Sequence, residues 1–153
     1  MLENLIGKGL ESEPAEAEEI QRLLKKIDTR LTDANHAGIS LESRFDLAYE
    51  ALLQLAVTAL RANHLRVTSR GGHHALAMQT LDSSIGYPKE KLRLLDRFRQ
   101  MRSTGLYDGT FEPSGSEVEA LIAEATQLRD HLEQWLAKER PEWMEAPIEP
   151  DDG

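Results

Sequence analysis

The 153-residue chain contains no cysteine, so disulfide bonds, thiolate metal sites and cysteine nucleophiles are all excluded. Aromatic residues make up only 5% of the chain, and no run of about 18 apolar residues is long enough to span a bilayer. The first 19 residues also lack the basic start and the long apolar stretch of a signal peptide. We therefore expect a cytoplasmic protein that makes no contact with a membrane.

The apolar residues that are present are mostly leucine and alanine, and they recur with helical spacing and not with the alternation of strands. A chain of this length forms one domain with a real core. The sequence predicts an all-α fold, an up-and-down bundle of four to five helices over residues 13–138. A mobile N-terminus, residues 1–12, precedes this bundle, and an acidic, proline-containing tail, residues 139–153, follows it.

The central helix is predicted from Ser40 to Arg66, with the Ser40 side chain as N-cap. Its apolar stripe consists of Phe45, Tyr49, Leu52, Leu53, Ala56, Ala59 and Leu60. A glycine-containing loop with the sequence SRGGHH follows, and a shorter helix is predicted from about His73 to Ser84, ended by Gly86. The central helix should therefore be the one against which the others pack.

The remaining helix ends are predicted from capping residues. The first helix should begin at Ser12 and end near residues 35–38. The fourth helix follows Tyr87 and Pro88 and should end at residues 103–105, before a loop with the sequence LYDGTFEPSG. Ser116 and Glu119 match the S-x-x-E capping box of a last helix.

The net charge of −9 argues against general affinity for nucleic acids, but the charge is unevenly placed. Residues 61–102 hold nine lysines or arginines against three acidic residues, which leaves the rest of the chain at −15. Such a basic surface on an acidic body is compatible with binding a phosphate or an acidic partner. The alternative interpretation is that the basic residues only cover the polar faces of two helices.

Three motifs in this order resemble the HEPN domain family: FDLAYEALLQLAVTALRANHLRV, the SRGGHH turn, and an arginine-rich helix that runs into MRSTGLYDG. The resemblance covers residues 40–135, and within the family it is to the branch with a Gly-His loop after the central helix. It implies a helical bundle that dimerises about the central and fourth helices. Many members are metal-independent ribonucleases of toxin–antitoxin, abortive-infection or other defence systems.

The family's active site is an arginine, a polar residue and then a histidine, supplied across the dimer interface. Arg102 matches the arginine and Ser103 the polar residue, but the histidine is missing and Tyr107 takes the position of the family's aromatic residue, followed by Asp108. Cleavage through the 2′-hydroxyl needs a base that accepts a proton near neutral pH, as histidine does with a pKa near 6.5. A phenol with a pKa near 10 is a poor base. The resemblance therefore predicts a degenerate ribonuclease motif in which Arg102 can still stabilise a phosphate.

Two function classes follow. The first is an interaction module that binds RNA or a nucleotide through Arg70, Arg97, Arg99 and Arg102, as a homodimer in a toxin–antitoxin or defence-type system. Its protein partner would be an antitoxin or a nucleotidyltransferase, and the latter could modify the Tyr107 hydroxyl. The second class is an active ribonuclease whose base is His73 or His74 from the Gly-His loop.

Structural alternatives stand beside these candidates. In the alternative interpretation Arg102 has no role beyond capping its helix, and the Tyr107-Asp108-Gly109 segment is simply a turn. The two adjacent histidines are then a helix cap and a surface residue. Asp46 and Glu50 lie one helical turn apart, either as functional carboxylates or as ion-pair partners of Arg44 and Arg61. Two histidines without a third ligand are a weak metal signal, so neither a metal site nor a cofactor is predicted.

Overall fold

The computed structural model of the chain describes residues 2–68 and 73–145, and it is built mainly of helices. In chain order the elements are a 3₁₀ turn (Leu2–Leu5), β1 (Leu10–Ser12), α1 (Ala17–Ala34), α2 (Leu41–Arg61), β2 (Leu65–Val67), α3 (His73–Gln79), α4 (Leu81–Ile85), α5 (Lys89–Asp108), α6 (Gly115–Glu139) and α7 (Pro141–Glu145). The all-α prediction is confirmed. Among the described helices, none combines the length and the hydropathy that crossing a membrane requires.

Helix α2 is the centre of the molecule, as predicted, because α1, α3, α5 and α6 all contact it. The Ser40 side chain caps it by accepting a hydrogen bond from the Ser43 amide at 3.1 Å. The predicted end at Arg66 is wrong: the helix ends at Arg61, and His64 leaves it with a φ of 61° in the left-handed region. This turn reverses the chain, so that Arg66 lies in β2 instead.

A small antiparallel sheet joins the N-terminal residues to the bundle, although the sequence analysis predicted no strand. β1 pairs with β2 so that Leu10 lies opposite Val67 and Ser12 opposite Leu65. The Leu10 side chain is fully buried, so residues 10–12 belong to the folded body and not to a mobile terminus. The predicted helix start at Ser12 is also wrong, because its backbone is part of the strand and α1 begins at Ala17.

Helix α5 is longer than predicted. It does not end at residues 103–105 but continues for another turn to Asp108, where Gly109 ends it with a φ of 70°. Residues 107–109 are therefore the end of a helix and not a loop turn. The absence of a side chain at Gly105 is essential here, since a Cβ atom would overlap with Phe111 and lie 2.8 Å from its Cγ.

The ends of α6 also differ from the prediction. Its N-cap is Ser114, which forms a capping box with Glu117, whereas Ser116 and Glu119 lie inside the helix. At the other end, α7 packs back on α1 and α6. The Gln21 side chain donates to the Trp143 carbonyl at 2.7 Å. The fold therefore extends to residue 145 and includes the first part of the predicted tail; the rest of that tail lies outside the described residues.

The predicted helix from His73 to Ser84 is divided into α3 and α4 at Thr80, and Gly86 ends it in the left-handed conformation as expected. Both short helices contact α5. They connect the C-terminal end of α2 to the start of the arginine-rich helix.

Candidate functional site

Helices α2 and α5 lie side by side in opposite directions and bring several of the predicted residues together. Asp46 on α2 faces Arg102 on α5, whose Nε lies 2.6 Å from Asp46 Oδ1. One turn further along α2, Tyr49 lies among Arg99, Arg102 and Asp96. We call this group the seam: Asp46, Tyr49, Glu50, Asp96, Arg99 and Arg102.

Within the seam both arginines are held by carboxylates. Arg99 Nε donates to Asp96 Oδ1 at 2.9 Å on its own helix. Arg102 is 28% exposed, and its guanidinium lies 5.9 Å from the centre of the Phe111 ring. The ion pair between Arg102 and Asp46 is short, but Asp46 Oδ1, which is buried, accepts no hydrogen bond from the described residues. The two side chains are therefore held together by the attraction of their charges and not by an aligned hydrogen bond.

Tyr49 is the seam residue that the sequence analysis assigned only to the core. Burial raises the pKa of its phenol to about 12; the neighbouring Arg99 and Arg102 oppose this increase, and Glu50 and Asp96 add to it. The phenol is therefore neutral at pH 7 and is a poor general base. Tyr49 lies one helical turn from Asp46, and this spacing was the sequence signal that could have placed it beside the predicted polar residues.

Arg44 and Arg61, the arginines that the sequence offered as ion-pair partners of Asp46 and Glu50, pair elsewhere. Arg44 instead donates to Glu119 at 2.8 Å and to the Ala34 carbonyl at 2.8 Å. Arg61 pairs with Glu19 at the opposite end of α2, with Nε 2.6 Å from Oε2. Glu50 is exposed on the surface of α2. The seam holds three carboxylates and two guanidiniums, so it presents no excess of positive charge.

The excess of positive charge lies on the outer surface of α5. Lys89, Arg93 and Arg97 recur every four residues, about 6 Å apart along the helix axis, and all three are exposed. Among the side chains that the structure describes, none of the three forms an ion pair with a carboxylate. We call these three residues the α5 ridge. Only Arg97 of this set is among the phosphate-binding residues predicted from the sequence, although the four-residue spacing is visible there.

The start of α5 is fixed by a buried polar group on α6. Glu124 accepts from the Tyr87 hydroxyl at 2.7 Å and from Lys91 Nζ at 2.9 Å. Lys91 also donates to Gln127 at 2.9 Å. Burial and the neighbouring carboxylate raise the pKa of the Tyr87 phenol. Lys91 therefore points towards α6. Lys89 and Arg93, two residues before and two residues after it, lie on the opposite side of α5 and face solvent.

The remaining candidates are only partly described. His73 and His74 begin α3, which packs against α5, and the His74 side chain is exposed. The backbone of Tyr107 belongs to the last turn of α5, but its side chain lies outside the described part, as does all of Arg70. Among the side chains that are described, no three potential ligands lie together in a way that could hold a metal ion.

Comparison of the chain with protein-family models, with curated proteins and with solved structures finds no match. The HEPN resemblance therefore rests on the sequence motifs given above.

Proposed function

We propose that the protein is a HEPN-type helical interaction module that binds the phosphates of RNA or of a nucleotide through the α5 ridge. In this proposal it acts as a homodimer in a toxin–antitoxin or defence-type system and has no ribonuclease activity of the usual HEPN kind. The supporting observation is the row formed by Lys89, Arg93 and Arg97: three exposed cations without described carboxylate partners, on a chain with a net charge of −9.

The charge distribution favours contact at this one surface. Each phosphate that a lysine or arginine neutralises releases condensed counterions, which drives binding and makes it depend on salt. The acidic remainder of the chain repels a polyanion, so nucleic acid should contact the ridge and little else. Arg99 and Arg102, which the sequence placed in the same role, are already paired with Asp96 and Asp46, which offset part of their charge. They should contribute less to binding than Arg93 and Arg97.

The test is fluorescence anisotropy with a labelled single-stranded RNA at several salt concentrations. The double variant Arg93→Gln/Arg97→Gln should bind more weakly, and its slope of log affinity against log salt should be shallower by about 1.4, as expected for two lost contacts on a single strand. The matched control is Lys25→Gln/Lys26→Gln, which removes the same charge from exposed positions of α1. This control should retain the affinity and slope of the wild type.

An equal loss of affinity in both double variants would show that net charge alone matters and would contradict a ridge site. Binding that falls instead with Arg99→Gln/Arg102→Gln would assign the phosphate contact to the seam. The absence of RNA binding by the wild type at 50 mM salt would remove the RNA proposal. The same titration with a nucleoside triphosphate would then decide between a nucleotide and no phosphate ligand.

The dimer belongs to the same proposal. The half-buried side chains of Leu47 and Val57 on α2, and of Leu94 and Met101 on α5, offer apolar surface along the two helices on which the family resemblance predicts contact. Sedimentation equilibrium at micromolar concentration should give twice the chain mass of 17.2 kDa. A monomer mass across that range would contradict the dimer, whatever the RNA titration shows.

A second candidate, the ribonuclease with a relocated base, is favoured by one observation: α3, which begins with His73 and His74, packs against the helix that carries Arg102. General acid–base help is worth about 10²–10⁴-fold in rate, so loss of a true base is easily measured. RNA cleavage by the wild type that disappears in both His73→Ala/His74→Ala and Arg102→Ala would establish this enzyme. Cleavage that is equal in all variants would indicate a contaminating nuclease.

A further inference from the structure

The α5 ridge is a row of like charges that the stability of its own helix does not explain. Lys89, Arg93 and Arg97 are exposed and follow one another every four residues, and like charges at this spacing repel each other along a helix. Lys89 is also the first residue of α5, where a cation opposes the helix dipole. Among the described side chains, no carboxylate forms an ion pair with any of the three. The row therefore weakens α5 slightly, which favours a role outside the fold.

The helix that carries this row is firmly packed. Lys91, between the first two ridge residues, donates to Glu124 on α6 at 2.9 Å. Leu95 and Phe98 are buried on the inner side of the helix. The three ridge positions are therefore fixed relative to one another over about 12 Å of the helix axis. A ligand that matches the ridge has to present anions at a regular spacing.

The surface around the ridge does not have the shape of a nucleotide site. The cleft of about 350 Å³ beside β1 and the cleft of about 240 Å³ beside Phe111 are both lined by other residues. Small ligands such as nucleotides usually bind in a concave site. The phosphates of a nucleoside triphosphate are joined through single oxygen atoms, whereas a sugar separates successive phosphates along a nucleic-acid strand. A row of well-separated cations therefore favours a polynucleotide over a nucleotide.

The ridge also lacks the groups that bind a single strand through its bases. Proteins usually hold single-stranded nucleic acids with aromatic side chains on which the bases stack. Of the aromatic rings that the structure describes, four are buried: Phe45, Tyr49, Tyr87 and Phe98. The others contact protein groups, Phe111 against Phe45 and the two tryptophans around Arg140. The described surface therefore offers contacts to phosphates and no platform for stacked bases.

We propose that the α5 ridge binds the phosphate backbone of double-stranded RNA, without regard to its base sequence. This inference rests on the proposed RNA-binding function and names the form of RNA that the ridge takes. Base stacking in a duplex holds the phosphates of each strand at a regular spacing, so a fixed row of cations meets them without first ordering the ligand. A single strand has to be ordered as it binds, and none of the described rings stacks on its bases to offset that cost.

The test is fluorescence anisotropy with a short labelled RNA duplex and with one of its strands, chosen to be unstructured. Three phosphate contacts predict that log affinity falls with log salt with a slope of about 2.7 on the duplex and about 2.1 on the strand. At 50 mM salt this difference alone favours the duplex about sixfold relative to 1 M salt. A second RNA duplex of different sequence should bind with the same affinity as the first.

Arg93→Gln/Arg97→Gln leaves a single ridge contact. Its slope on the duplex should be shallower by about 1.8, and its preference for the duplex should fall to about twofold. Its thermal unfolding temperature should be at least that of the wild type, because repelling charges have been removed, so lost binding is not lost structure. Lys25→Gln/Lys26→Gln, with the same change of net charge on α1, should keep the duplex preference of the wild type.

Single-strand binding as tight as duplex binding in the wild type would overturn the inference, and the proposed function would survive if both affinities fall in the Arg93/Arg97 variant. A duplex preference that this variant retains in full would place its source elsewhere and also overturn the inference. A DNA duplex that binds more tightly than the RNA duplex would assign the ridge to DNA instead. The absence of binding to either RNA would remove the inference together with the proposed function.

Discussion

Arg61 and Arg102 lie towards opposite ends of the central helix, and each pairs with a carboxylate, but their surroundings differ. Arg61 is 8% exposed and donates five hydrogen bonds, two to the Glu19 carboxylate and three to main-chain carbonyls. Arg102 is 28% exposed and has one short, poorly aligned ion pair with Asp46. All the hydrogen-bond donors of Arg61 are therefore bound within the fold, whereas the charge of Arg102 is only partly neutralised.

The comparison shows why a count of basic residues is a poor guide to function. Arg61 ties together α1, α2 and β2, and its bonds to the Glu13 and Pro14 carbonyls leave no donor for a ligand. The α5 ridge has the reverse property, since its cations are exposed and make no described ion pair. The same residue type therefore builds the fold at one place and offers charge to a partner at another.

The largest effect should come from Arg61→Ala, which leaves the Glu19 carboxylate and three carbonyls without their donor. Loss of one partner of a buried ion pair costs roughly 3–5 kcal/mol, and the partial exposure of Glu19 places the expected loss at about 3 kcal/mol. Urea denaturation measures it as a lower midpoint. Arg66→Ala is the matched control, because the Arg66–Glu11 pair is half exposed and should contribute less than about 1 kcal/mol. Equal losses of stability in the two variants would mean that the buried Arg61 contributes no more to the fold than the half-exposed Arg66.

Gly105→Ala should have the next largest effect. A helical glycine changed to alanine usually gains roughly 0.5–1 kcal/mol. Here the new methyl group overlaps with the Phe111 side chain, and overpacking costs about 1–3 kcal/mol. Displacement of Phe111 should also weaken its contacts with Arg102 and with Phe45, whose ring centroid lies 4.9 Å from that of Phe111. Thermal unfolding measures the change.

Gly115→Ala is the matched control for this variant, since a Cβ atom there meets nothing within 4 Å. It should be neutral or slightly stabilising. A Gly105→Ala protein as stable as the wild type would show that Phe111 moves freely and does not position Arg102.

A smaller effect should appear at acid pH around Arg61. The hydrogen bonds from Arg61 lower the pKa of Glu19 below its ordinary value of 4.5. Because the folded-state pKa is the lower one, the pair stabilises the fold above pH 4.5, and this contribution is lost as the pH falls through the folded-state pKa. Wild-type stability should therefore fall more steeply below pH 4.5 than that of Glu19→Gln. Parallel curves from urea denaturation at pH 7 and pH 3.5 would contradict this assignment.

The smallest effect should come from Arg102→Gln. Its ion pair is partly exposed, and such pairs contribute roughly 0.2–1 kcal/mol. Thermal unfolding should therefore show a shift well below that of Arg61→Ala. A loss as large as that of Arg61→Ala would mean that the seam is as essential to the fold as the Arg61 cluster.

The long helices could be predicted from the sequence, because their apolar stripes and the Ser40 cap are local signals. The start of α6 could not, since Ser114–Glu117 and Ser116–Glu119 both match a capping box, and only the structure selects the first. The end of α2 was missed because β2 exists only through its pairing with β1, more than fifty residues earlier. The HEPN resemblance and the RNA-binding role stay predictions.

The site was predictable in part. The named residues Asp46, Glu50, Arg99 and Arg102 do come together, because α2 and α5 are antiparallel neighbours. Their ion pairing was not visible in the sequence, since it depends on which side of α5 meets α2. Arg93 belongs to the exposed side for the same geometric reason: its four-residue spacing from Lys89 and Arg97 was visible, but the sequence did not show that this side of α5 faces solvent.

The pairing of β1 with β2 has a consequence for how the chain folds. The strand at residues 10–12 finds its partner only when residues 65–67 are in place, so this contact closes a loop that contains α1 and α2. Closing such a loop costs chain entropy before the contact forms. We expect the two helices to associate first and the N-terminal strand to dock late, and therefore to be the segment that opens first when the folded protein fluctuates.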